Sequence, residues 1–171
     1  MPHLLLAALL LLAPPASAKP PCTGAGGQCV VDDLAAAAAT DTALPVPRGT
    51  RVSSSYGWRT HPISGKRKFH TGTDFAMSRG SDVLAPGAGT ITFASWAGGY
   101  GRFVELTMDD GRVVSYAHLK DYADMKVGTK VQAGDVVGHV NSSGSSTGDH
   151  LHLEVKDAKG ARQNPVTHFG L

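Results

Sequence analysis

The residues able to do chemistry fall in three short segments. GDHLHLEV, residues 148–155, sets two histidines one residue apart and follows them with a glutamate at the same spacing. KFHTGTDFA, residues 68–76, places His70 four residues before Asp74. SYAHL, residues 115–119, holds His118 two residues after Tyr116. Imidazole nitrogen and carboxylate oxygen are donors that zinc accepts, and a catalytic zinc site uses three protein ligands plus water. Water held that way titrates near ~7 and becomes a nucleophile at neutral pH. Two histidines and one carboxylate suffice as ligands, which leaves two imidazoles for proton transfer and for stabilising an oxyanion. Calcium and magnesium want more oxygen ligands, while ligand type alone leaves copper and iron open. Any one of these segments is also what an ordinary surface strand presents. Their weight comes from occurring together in one small domain.

The elements that carry them read as strands. Successive side chains of a strand point to opposite faces. His150, His152 and Glu154 therefore share one face, and Leu151, Leu153 and Val155 form an ordinary core face. The same period puts Tyr116 with His118, opposite Ala117 and Leu119. Gly72, between His70 and Asp74, permits a sharp turn. Short β-rich runs alternate with Gly, Pro and Asp: TRVSSSYGWR, GTITFASW, RFVELTM, RVVSYAHL, DVVGHV and HLHLEV. Asp109-Asp110-Gly111 is a hairpin signal, and Ala85-Pro86-Gly87 and Ala133-Gly134-Asp135 read as turns. No run has a 3.6-residue period. The expected fold is mainly β: an antiparallel β-sandwich or partly open barrel with an active-site groove.

The 171 residues suffice for one domain with a core. A net charge of +2 gives no nucleic-acid or membrane-surface signature. Residues 1–18 read as a signal peptide. The apolar run LLLAALLLLA (4–13) is too short to span a bilayer, and Ala16-Ser17-Ala18 has the small-x-small form of a cleavage site, although Met1-Pro2-His3 carries no Lys or Arg. A periplasmic or secreted protein with no stable membrane anchor after cleavage is the expectation. Residues 19–46, rich in Pro, Gly and Ala, read as a tether with little structure. Cys22 and Cys29, the only cysteines, are expected to form a disulfide outside the cytoplasm. Residues 47–171 form the domain.

Over residues 46–168 the chain resembles the lysostaphin-like, or LytM-type, zinc endopeptidases, which cut peptide bonds in bacterial peptidoglycan. The resemblance rests on VSSSYGWRTHPISGKRKFHTGTDFA, VLAPGAGTI, GGYGRFVEL, SYAHL, VQAGDVVGHV and GSSTGDHLHLEV, in the family's order. It implies one zinc ion per chain, bound by His70, Asp74 and His152. It implies that His118 and His150 serve as general base and oxyanion stabiliser, in either order, and that a peptidoglycan peptide is the substrate. It also supplies a rival reading, a non-catalytic LytM-type regulator of a cell-wall amidase. Such regulators characteristically lack the zinc ligands, whereas this chain keeps the set. The pattern departs at Arg102, where similar proteins often have Asn after the Tyr-Gly pair. A monomer is expected.

Other residues are candidates for supporting roles. Tyr100, Tyr116, Ser146 and Thr147 are candidates for the substrate groove. Glu154 either orients a metal ligand from behind or is a solvated edge carboxylate. Residues 48–79 hold seven basic residues against one acid, Asp74; the basic set is either a rim suited to an anionic cell wall or, for any one residue, a merely solvated face. Arg59 reads as a structural hydrogen-bonding residue. His61, His139 and His168 fit no ligand spacing and are taken as structural or surface residues.

Overall fold

The turn residues cut the chain into short strands, and their apolar faces bring the strands together. In a computed structural model, residues 43–61 and 64–171 are described, all within the unit Ala37–Leu171. The strands are β1 (Val52–Ser54), β2 (Gly57–Thr60), β3 (Arg67–His70), β4 (Thr73–Phe75), β5 (Asp82–Leu84), β6 (Gly89–Trp96), β7 (Arg102–Met108), β8 (Val113–Asp121), β9 (Lys130–Val131), β10 (Val136–Val140), β11 (Leu151–Lys156) and β12 (Arg162–Gln163). One short helix, α1 (Pro165–Phe169), comes after them. The main sheet runs β1-β4-β11-β8-β7-β6-β9, with β12 beside β11 and β10 joining β8 to β5. β2 and β3 form a separate two-stranded sheet. Every named pairing is antiparallel. The expected class holds, as an open antiparallel sheet system and not a closed barrel.

The hairpin signal at Asp109-Asp110-Gly111 joins β7 to β8. Gly111 takes a left-handed φ of 85°, its N–H donates to the Met108 carbonyl at 2.9 Å, and Asp110 Oδ1 accepts from the Arg112 N–H at 3.0 Å. Leu151, Leu153 and Val155 are fully buried, as their alternation requires. They pack in one cluster with Phe75, Val104, Leu106 and Val114, and each such side chain contributes about 1.5–3 kcal/mol by leaving water. α1 is capped at both ends. Asn164 Oδ1 accepts from the Val166 N–H at 3.1 Å, and Gly170 closes the helix with a left-handed backbone.

The domain begins earlier than expected. Residues 43–46, placed in the tether on composition, pack on the core. Val46 is 1% exposed and Leu44 lies against the same cluster. The Pro45 carbonyl accepts from the Leu84 N–H. Two apolar side chains in a Pro-rich segment are enough to dock it. The signal peptide, most of the tether and the Cys22–Cys29 pairing lie outside the described residues. Among the described residues, no helix is long and apolar enough to cross a membrane.

Candidate metal centre

Strand register brings the histidines and the carboxylate together. Across β4 and β11, His152 stands opposite Asp74. Across β11 and β8, it stands opposite Ala117. Directly opposed residues hold their Cβ atoms about 4.5–5.5 Å apart. His70 ends β3, and Thr71-Gly72 carries the chain into β4. Gly72 is needed for space and not for a left-handed turn, since its φ is not positive. A Cβ there would lie 2.3 Å from the Leu153 carbonyl oxygen and 2.9 Å from the His152 ring.

Three donor atoms converge at the centre. Asp74 Oδ1 lies 3.2 Å from His70 Nε2 and 2.8 Å from His152 Nδ1. The two nitrogens are 3.1 Å apart. The far side of each ring is already engaged. His70 Nδ1 lies 2.9 Å from the Ser55 carbonyl, and His152 Nε2 lies 3.2 Å from Glu154 Oε1. A carbonyl and a carboxylate only accept, so these are the ring atoms that carry protons. The inward nitrogens are then bare, and three acceptors share one small space. Such an arrangement is stable only around positive charge. Four ligands at about 2.0–2.1 Å from a tetrahedral ion stand about 3.3–3.4 Å apart, close to the observed spacing. The donor set therefore fits a divalent cation. Without an ion, a proton can take its place: burial opposes charge on His152, yet its bonds to Asp74 and Glu154 outweigh that and raise its pKa. Burial alone would raise Asp74, but bonds from His152 and His70 hold its carboxyl well below the usual range.

His118 and His150 border the same space. The Nδ1–H of His118 donates to the Ser143 carbonyl at 2.7 Å, and that of His150 to the Gly148 carbonyl at 2.8 Å. Their Nε2 atoms are left bare. The two rings are 4.7 Å apart, and His150 Nε2 lies 3.8 Å from Asp74 Oδ1. Burial pushes the His118 imidazole down to about 4, with the Ser143 carbonyl acting in the opposite direction.

His118 breaks the strand rule that predicts its face. Its φ of 61° is left-handed, which is uncommon for a non-glycine residue. There the β7–β8 register slips: Arg102 pairs with Leu119 but Val104 pairs with Tyr116. This bulge inserts one residue and re-aims the side chains beyond it. Tyr116 therefore does not share a face with His118. It is fully buried, stands opposite Leu153, and its hydroxyl donates to the Leu84 carbonyl at 3.1 Å. The assignment of Tyr116 to the substrate groove is corrected to the core, and Leu119 packs in that core beside it.

The other predicted residues line the site. An open cavity of about 420 Å³ is bordered by the four histidines, Asp74, Tyr100, Ser146 and Thr147. His61, expected to be structural or at the surface, also reaches it. Glu154 is 4% exposed, which removes the solvated-edge reading. Its Oε1 accepts from Thr71 Oγ1 at 2.6 Å and from the Tyr100 hydroxyl at 2.8 Å, besides His152. Arg162 donates to its Oε2. These bonds hold Glu154 well below the usual carboxylate range, although burial acts the other way.

Sequence reasoning missed Thr71 and Arg162, and the carbonyls of Ser55, Ser143 and Gly148. A backbone carbonyl leaves no trace in residue type. Ser143 does carry a side-chain function: its Oγ donates to the Leu119 carbonyl at 2.8 Å and accepts from the Arg102 N–H at 3.0 Å. Arg59 is also closer to the chemistry than expected, with Nη2 3.6 Å from Asp74 Oδ2.

Comparison with known proteins places this geometry in a family. The model described as peptidase family M23 matches residues 68–165. The DD-carboxypeptidase/endopeptidase Mpg of Neisseria meningitidis is 42% identical over 118 residues, covering 69% of this chain and 27% of that protein. The peptidoglycan DD-endopeptidase ShyC of Vibrio cholerae is 33% identical, covering 68% of this chain and 27% of that protein. The chain thus spans about a quarter of the length of these relatives. The catalytic domain of the antimicrobial peptidase lysostaphin from Staphylococcus simulans superposes with a TM-score of 0.63 at 32% identity, covering 71% of this chain and 93% of that one.

Proposed function

The chain belongs to peptidase family M23, and on that premise we propose that it is a zinc-dependent endopeptidase that hydrolyses peptide bonds in peptidoglycan. The carrying observation is the convergence of three bare donor atoms from His70, Asp74 and His152 beside two further imidazoles whose lone pairs face one cavity. The peptidoglycan-directed name of ShyC, and the endopeptidase named in Mpg, support the substrate class. The regulator alternative leaves the converging donors without a purpose.

His70, Asp74 and His152 would hold the ion, which when bound acts as a Lewis acid on a peptide carbonyl and acidifies water. The remaining work belongs to the chain. Glu154 keeps the proton of His152 on Nε2, so that Nδ1 stays available as a ligand. Of His118 and His150, one accepts the proton of the attacking water at Nε2. The other, its Nδ1–H held by a carbonyl, can donate from Nε2 to the developing oxyanion once it has taken up a proton there from solvent. Tyr100, Ser146 and Thr147 border the path of the peptide. The enzyme acts outside the cytoplasm, where its substrate lies.

The test is solubilisation of purified murein by residues 19–171. Activity is expected, with complete loss on chelation and recovery on adding zinc. Solubilisation that survives removal of all bound metal would end this reading.

A further inference from the structure

A second cavity, of about 490 Å³, adjoins the first and shares Arg59, Asp74, Thr147 and His150 with it. Its charged lining is Arg51, Arg59, Asp74 and Asp149. Both acids already have partners. Asp149 receives Arg79, with Nε and Nη2 both 3.1–3.3 Å from its oxygens. Asp74 turns Oδ1 to His70 and His152, and its charge faces the metal centre. The arginines are less well supplied. Arg59 meets Asp74 only at 3.6 Å, and its Nε is buried with no hydrogen-bond partner among the described residues. The buried Nε is out of reach, but the side chain is 24% exposed, and the accessible part of such a guanidinium gains from an anion that takes up its outward donors. Its planar fork matches a carboxylate in particular.

Both arginines are tied to the strands that carry the candidate ligands. Arg59 sits on β2 opposite Lys68, on the strand that ends at His70. The Arg51 carbonyl accepts from the Ala76 N–H at 2.9 Å, two residues beyond Asp74. Their positions relative to the reacting centre are therefore set by strand pairing. We propose that Arg59 and Arg51 form a carboxylate-binding subsite beside the metal centre, which selects substrate peptides carrying a free carboxylate close to the scissile bond. The proposal rests on the endopeptidase reading above and names a recognition element within it.

The test compares cross-linked muropeptides with the same fragments after their carboxyls are converted to carboxamides. The metal-loaded enzyme is expected to favour the free carboxylates about ten- to a hundred-fold in kcat/KM, the scale of one charge-assisted contact. Arg51→Ala and Arg59→Gln should each move that ratio toward one. Calorimetric affinity of the metal-free variants for uncleaved muropeptides should show the same loss of preference, and it serves where turnover is too slow to read. Equal rates on both substrates in the parent enzyme overturn the subsite and leave the endopeptidase reading standing. A proportional loss on both substrates, with the ratio intact, also overturns it and makes Arg59 a support for Asp74. Cleavage of neither substrate removes the endopeptidase reading and the subsite together.

Discussion

His152 and Glu154, two residues apart on one face of β11, are joined by a 3.2 Å hydrogen bond from the imidazole Nε2–H to the carboxylate Oε1. The contact selects which nitrogen of His152 points at Asp74. Glu154 is itself fixed by Thr71, Tyr100 and Arg162. Glu154→Ala should lower metal affinity about 10–100-fold, the usual scale for a partner behind a ligand histidine. Glu154→Gln, which keeps an acceptor, should recover part of that loss. Competition against a chromophoric chelator reads both, and unchanged affinity in Glu154→Ala would remove the role.

His118 donates to a carbonyl from Nδ1 and is not among the three converging donors. His118→Ala should retain one metal ion per chain while murein release falls about 10²–10⁴-fold, the range of a general acid or base. Asp74→Ala should lose the metal. Elemental analysis beside a turnover assay distinguishes the two, and loss of metal in His118→Ala would reverse the division of roles.

Burial sets the His118 pKa at about 4, against 6.5 for the exposed ring. Unfolding returns the ring to its ordinary value, so between these values the unfolded chain binds the proton that the folded chain refuses. The stability associated with the neutral ring is present in full above pH 6.5. It is lost as pH falls toward 4, by up to about 3 kcal/mol. In metal-free protein, denaturation midpoints from pH 7 to 4 should fall more steeply for the parent than for His118→Gln. Parallel pH profiles would contradict this.

At Gly72 a single methyl group meets backbone. Gly72→Ala places a Cβ against the Leu153 carbonyl and the His152 ring. Overpacking of this kind costs about 1–3 kcal/mol. Separation of β4 from β11 should also weaken metal binding. Thermal unfolding with and without zinc checks both effects, and a normal zinc-induced shift in the variant would show that the strands tolerate the methyl group.

Periodicity, turn chemistry and donor type are readable without coordinates because each is local. Two histidines alternating with leucine demand a strand with one apolar face, and β11 has that pattern. Asp-Asp-Gly demands a hairpin, and it joins β7 to β8. An imidazole and carboxylate set in one chain already points to a metal. Other features depend on distant contacts. Tyr116 is misplaced by the alternation rule because that rule assumes an unbroken strand, and a bulge at His118 shifts the count by one. Leu44 and Val46 read as tether because composition does not say whether a surface is waiting to receive them.

The amino-acid order by itself therefore determined a β domain bearing a metal-capable set of side chains, since period and chemical type belong to the residues. Only the tertiary structure decided that His70, Asp74 and His152 aim bare donor atoms at one point. That choice is made by carbonyls and carboxylates on other segments, which take up the far side of each ring, and by the register that sets β4 against β11. Both are long-range relations between parts of the chain that are remote in sequence.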